Sequence, residues 1–125
     1  MKILDFSIGT DIERISRFAK YSQNPSDEFI KRIYTQTETA YCFSHKNPEQ
    51  HLAVRFSAKE AVYKALSAMG IDDVHYSDIE IKSDERGVPF VNLLTEKYNN
   101  LIFRLSMSHG NGNSVASVVV MKVDK

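Results

Sequence analysis

Glu60 and Lys64 stand four residues apart, with Arg55 and Lys59 just before them, in a stretch otherwise built from Leu52, Ala53, Val54, Phe56, Ala58, Ala61 and Ala65. At about 100° per residue these apolar side chains enclose a helix nearly all round, with Leu52, Phe56, Tyr63 and Leu66 on one side. An ion with few routes to water is costly unless it meets an opposite charge or a metal. Two chemistries fit. In one, Glu60 and Lys64 form an ordinary i,i+4 pair worth about 0.2–0.5 kcal/mol, while Arg55 and Lys59 reach outward along their stems. In the other, Glu60 ligates a cation and the basic residues around it hold phosphate. Mg²⁺ suits the second, because it takes one or two carboxylates and fills its other positions with water and substrate phosphate oxygens.

A second carboxylate is available in Gly9-Thr10-Asp11, at the expected end of the first strand, where function is often placed. For Asp11 alone a plain helix N-cap is an equal alternative.

The elements that must carry these residues are legible in outline. Residues 2–9 alternate through Ile3, Phe6 and Ile8 and read as a strand closing on Gly9. Thr10 or Asp11 then caps an expected helix with Ile12, Ile15, Phe18 and Ala19 on one side. Pro25-Ser26-Asp27-Glu28 opens another helix, and Thr35 with Glu38 has the form of a capping box. From Pro48 to Met69 there is no Gly or Pro after the first position, and Gly70 stands where a left-handed C-terminal residue belongs, so the long helix lies here. Ile79–Lys82 and Pro89–Leu93 flank an Asp84–Gly87 turn; residues 102–108 and 114–123 flank Gly110-Asn111-Gly112-Asn113. Both read as hairpins, with a short helix over Thr95–Leu101 between them. The class is α+β, an antiparallel sheet wrapped around one long central helix.

A chain of 125 residues with 42% hydrophobic content fits a single domain, 1–125. Such a small domain can borrow a wall of its site from a neighbouring copy. Sixteen Lys and Arg balance sixteen Asp and Glu, which argues against binding nucleic acid by bulk charge. No stretch approaches the roughly 20 apolar residues of a membrane span, so the expectation is a soluble, cytoplasmic protein. The lone Cys42 reads as a half-buried thiol rather than a nucleophile.

Taken jointly, Ile8-Gly9-Thr10-Asp11-Ile12-Glu13, then Arg55-Phe56-Ser57-Ala58-Lys59-Glu60-Ala61-Val62-Tyr63-Lys64-Ala65, then Met107-Ser108-His109 resemble the three signature segments of holo-acyl-carrier-protein synthases, the short class of 4′-phosphopantetheinyl transferases. The central F-x-x-K-E-x-x-x-K pattern is the specific one. Gly87-Val88-Pro89-Phe90 is similar to the family's G-x-P segment.

The resemblance implies transfer of the phosphopantetheine arm of coenzyme A to a serine of an apo acyl carrier protein, releasing adenosine 3′,5′-bisphosphate and serving fatty acid biosynthesis. It implies Mg²⁺ on Asp11 and Glu60, with Lys64 on the diphosphate. Ser108, His109 and the Gly87 to Pro89 turn would line the coenzyme A cleft, and Arg55 is a further phosphate contact. No nucleophile of this chain is required; Glu60, a metal-bound water or His109 would take the serine proton. Arg14, Arg17 and Lys20, beside Phe18 and Tyr21 as exposed apolar candidates, would meet an acidic carrier protein. A homotrimer with sites between subunits is also implied.

Two departures stand out. Where the family often has a basic cluster, this chain has Ser44-His45-Lys46-Asn47-Pro48-Glu49-Gln50-His51, leaving only Lys46 as a candidate for the nucleotide's 3′-phosphate. Gly110 also stands where Thr or Asp is expected. Rival readings are a non-catalytic phosphate-binding module, against which two acidic positions argue, and a metal-dependent phosphohydrolase, for which no dedicated acidic cluster is evident.

Overall fold

A computed structural model describes residues 1–124. Strand β1 (Ile3–Arg14) leads into a 3₁₀ turn over Ile15–Tyr21, followed by helices α1 (Glu28–Ile33), α2 (Gln36–Phe43) and α3 (Pro48–Ala68). Strands β2 (Ile79–Ser83) and β3 (Pro89–Leu93) form one hairpin; β4 (Leu101–Gly110) and β5 (Asn113–Val123) form another. The antiparallel arrangement is split into a three-stranded sheet of order β1-β5-β4 and the two-stranded β2-β3 sheet.

Helix α3 has Pro48 at its first turn, where the missing N–H costs nothing, and ends before Gly70 at φ +81°. Its Ala58, Ala61, Val62, Ala65 and Leu66 are buried against Ala116, Val118 and Val120 of β5. Its first half packs Leu52, Ala53 and Phe56 against Phe18, Ile30, Ile33 and Cys42. The predicted capping box is present: Thr35 Oγ1 accepts from the Glu38 N–H, and Glu38 Oε1 accepts from the Thr35 N–H.

The first strand departs from expectation in length. It does not close on Gly9 but continues to Arg14, paired along β5 from Gly9↔Val118 to Arg14↔Asn113. Asp11 is therefore a strand residue and no helix N-cap. The expected helix after it shrinks to the 3₁₀ turn, and Phe18 is fully buried rather than exposed. Ser7 and Gly9 of β1 point inward, while Phe6, Ile8 and Ile12 are 67%, 71% and 63% exposed. Between Thr95 and Leu101 only Glu96–Tyr98 turns as 3₁₀ helix, and Leu101 already belongs to β4.

Gly9 is required by contact. A Cβ built there would lie 1.9 Å from the Ala61 carbonyl oxygen of α3, so strand and helix meet backbone to backbone. Gly9→Ala must force the two apart, and it is expected to destabilise the fold by about 3 kcal/mol, the upper end for overpacking, read as a lower urea midpoint at unchanged slope.

Candidate active site

The close approach at Gly9 lays the next inward positions of β1, Asp11 and Glu13, along α3. Lys64 Nζ donates to Asp11 Oδ1 at 2.9 Å and to the Thr10 carbonyl oxygen at 3.2 Å. Lys64 does not pair with Glu60, as the simple i,i+4 reading expected. The hydrogen bond to Asp11 raises the Lys64 pKa above its usual range, and the carboxylates of Asp11, Glu60 and Glu13 reinforce it against partial burial. The Asp11 side chain is only 8% exposed, and its Oδ2 is buried without a hydrogen-bond partner among the described residues.

Glu60, one turn before Lys64, is half-buried and accepts a hydrogen bond on Oε1 from the Tyr76 hydroxyl at 2.6 Å. Burial, that bond and the Glu60 charge push the Tyr76 pKa above its ordinary value, so the phenol stays a donor at neutral pH. Among the described residues no group of three or more His, Cys, Asp or Glu side chains is placed to hold a metal. Asp11 and Glu60 are a two-carboxylate set, which suits Mg²⁺ when water and phosphate oxygens complete the shell. The buried partnerless oxygen of Asp11 fits such a role.

Glu13 belongs to the first signature segment, and the sequence alone assigns it no role. It sits two residues beyond Asp11 on the same face of β1, its side chain 11% exposed, with Arg17 Nη1 at 2.6 Å from its Oε1. Its pKa rises to about 7, through burial first and then through the neighbouring Asp11 carboxyl, while Arg17 opposes the shift. Strand spacing alone would have revealed it, had β1 been read through to Arg14. Tyr76, 16 residues beyond Glu60, has no signal in spacing.

Lys59 does not reach outward along its stem. It is fully buried, 2.7 Å from Glu38 Oε1, and donates to the carbonyl oxygens of Tyr76 and Ile79. Burial lowers its pKa, and Glu38 works in the other direction. Glu38 also accepts from the Ile81 N–H at 2.7 Å.

The other residues are spread over two edges. Arg55 does not reach outward either: it is 5% exposed, its guanidinium 4.0 Å over the Tyr41 ring, its Nε buried without a partner among the described residues. Close by, the His45 and His51 rings pack in a tilted arrangement with centroids 3.9 Å apart, and His109 Nε2 lies 3.3 Å from Gln50 Nε2. Burial lowers the His51 pKa, and His45, Arg55 and His109 add to it. Ser108 and His109 are exposed at the end of β4, and Lys46 is exposed after α2. Gly87, at φ +81°, turns the β2-β3 hairpin, and Pro89 begins β3. No hydrogen bond joins that turn to the carboxylates among the described residues. Arg14 and Lys20 are exposed; Arg17 leans back on Glu13 and lies 5.2 Å from the Phe56 ring centroid. Cys42 is fully buried rather than half-buried, its pKa raised to about 12 by burial, which leaves no nucleophile.

The fold around this cluster of Asp11, Glu60 and Lys64 has known relatives. The sequence model described as the 4′-phosphopantetheinyl transferase superfamily matches residues 7–119, so the chain belongs to that family. Within it, the relatives are holo-acyl-carrier-protein synthases, and this chain is a phosphopantetheinyl transferase of that type. The one from Geobacter sp. (strain M21) is 37% identical over 123 residues, covering 92% of this chain and 97% of that protein. A Bacillus anthracis str. Ames holo-acyl-carrier-protein synthase solved in complex with CoA (3′,5′-ADP) is 33% identical with TM-score 0.76, over 93% of this chain and 96% of that one. The Helicobacter pylori enzyme, in complex with coenzyme A, is 31% identical with TM-score 0.76, over 90% and 98%.

Removing one partner of a buried ion pair strands the other. Lys59→Met leaves Glu38 uncompensated and is expected to cost about 3–5 kcal/mol, measured as the loss in unfolding free energy near pH 7.

Proposed function

We propose that this chain moves 4′-phosphopantetheine from coenzyme A to a serine of an acidic apo acyl carrier protein. The observation that carries the reading is the 2.9 Å bond from Lys64 to Asp11, which brings the first signature segment onto the helix that bears Glu60 one turn before Lys64. The serine hydroxyl oxygen forms a bond to the β-phosphorus as the bond to the α-phosphate oxygen breaks. The hydroxyl proton is lost, and adenosine 3′,5′-bisphosphate leaves.

Asp11 and Glu60 are the residues that would hold Mg²⁺, which when bound supplies charge neutralisation of the diphosphate. Lys64, already charged through Asp11, is a point charge for the developing negative oxygen. Arg55, Ser108 and His109 form the nucleotide side together with the Gly87 to Pro89 turn. Where the basic cluster is missing, exposed Lys46 is the cation offered to the 3′-phosphate, with His45 and His51 packed beside Arg55 as hydrogen-bonding neighbours. Arg14, Arg17 and Lys20 present cations to the carrier, Arg17 and Lys20 on one edge because residues three apart eclipse in a 3₁₀ turn. Such an edge orients and speeds docking.

The outward face of the β1-β5-β4 sheet supports the homotrimer. Phe6, Ile8, Ile12, Val115 and Val119 are exposed there, around a cavity of about 480 Å³ that includes Thr10, Arg104 and Ser117. Exposed apolar patches of this kind mark interaction surfaces. No helix among the described residues is long and apolar enough to cross a membrane, and a cytoplasmic setting goes with the reading.

Purified protein with coenzyme A, Mg²⁺ and a competent apo carrier is expected to add the mass of phosphopantetheine to the carrier serine. Absence of that mass gain removes the proposal. Asp11→Asn and Glu60→Gln should stay folded and lose about 100-fold or more of kcat/KM, the scale of a lost electrostatic stabiliser; a variant as fast as the parent excludes its carboxylate as a ligand. For the assembly, sedimentation equilibrium should give three times the chain mass, and Ile8→Glu should reduce it to one; a parent that sediments as a monomer ends the trimer reading.

A further inference from the structure

Tyr76 touches the site from outside the three signature segments, and its surroundings hold it from several directions. Phe56, Glu60 and Tyr63 follow one another along a single face of α3 at helical spacing. The Tyr76 ring lies across that face, stacked on Tyr63 with centroids 5.1 Å apart and on Phe56 at 6.1 Å, the planes within 20° to 23° of parallel. Its backbone carbonyl is held by Lys59 Nζ at 2.9 Å, from inside the buried ion pair. A phenylalanine would satisfy all of these contacts. What the hydroxyl adds is its bond to Glu60 Oε1 at 2.6 Å, and it makes no other hydrogen bond among the described residues.

We propose that Tyr76 is a positioning residue for the metal-binding carboxylate: its clamped hydroxyl occupies Glu60 Oε1 and reserves Oε2 for the cation. The inference rests on the reading that Asp11 and Glu60 hold Mg²⁺. An unrestrained carboxylate turns freely about its last torsion and can offer both oxygens at once. Mg²⁺ demands near-octahedral geometry at short distances, whereas larger cations tolerate two oxygens from one carboxylate. A donor fixed on one oxygen enforces single-oxygen ligation and removes the torsional freedom before the ion arrives. Partners of ligands commonly govern metal affinity in this way, and losing one typically costs 10–100-fold.

The test uses Mn²⁺ as a paramagnetic probe of the magnesium position, titrated into the 125-residue chain with coenzyme A present, free Mn²⁺ being read by electron paramagnetic resonance. The parent should bind and Glu60→Gln should not. Tyr76→Phe, which keeps the ring stack, should bind about 10-fold more weakly or worse, with the parent's metal-free affinity for coenzyme A and the parent's unfolding midpoint. Its transfer rate should recover as Mg²⁺ is raised. If Tyr76→Phe binds Mn²⁺ as the parent does while Glu60→Gln fails, the role of Tyr76 is overturned and the metal reading stands. Equal losses of coenzyme A and Mn²⁺ affinity in Tyr76→Phe overturn it as well, since the residue would then merely support the fold. Should Glu60→Gln bind Mn²⁺ like the parent, the metal reading falls and the role of Tyr76 falls with it.

Discussion

At Gly9 the first strand lies so close to α3 that one methyl group would overlap the Ala61 carbonyl. Most of the site follows from that contact. The strand is pressed flat on the helix, so Asp11 and Glu13, the next inward positions, meet the helix face that carries Glu60 and Lys64. A wider spacing would leave Lys64 short of Asp11. Packing and chemistry are therefore set by the same missing side chain.

The second constraint is the dry ion pair behind the site. Lys59 and Glu60 are adjacent in sequence and point in different directions. Lys59 is sealed with Glu38; Glu60 faces the half-open group of Asp11, Lys64 and Tyr76. Glu38 satisfies the N–H groups of Thr35 and Ile81, and Lys59 satisfies the carbonyls of Tyr76 and Ile79. One pair thus ties α2, α3, β2 and the turn before β2 together. Buried pairs add little net stability against apolar replacements; here the pair fixes the relative placement of four segments.

How much of this was legible in the sequence depended on how local each feature is. The long helix, the capping box at Thr35 and Glu38 and both hairpins are written in short-range signals, and all are present. The end of β1 was misread because Asp11-Ile12-Glu13-Arg14-Ile15 suits either a strand or an amphipathic helix, and its pairing with β5 lies about a hundred residues away. Alternation through Phe6 and Ile8 marks one apolar face but cannot say whether the chain itself covers that face. Asp11, Glu60 and Lys64 stand out as candidates because they sit in signature segments. The burial of Lys59 and the hydroxyl of Tyr76 do not, since each depends on a partner on another element.

The uncovered face of the three-stranded sheet carries a different kind of consequence. Phe6, Ile8 and Ile12 in water are an unfavourable surface for an isolated chain, and further copies are the proposed cover. Binding that occurs only in the folded state adds stability by mass action. Stability, and with it the fraction of competent sites, then becomes a function of how much of the protein is present. A cell diluted of this chain would hold fewer working sites per molecule, which links its output to its own abundance more steeply than in proportion.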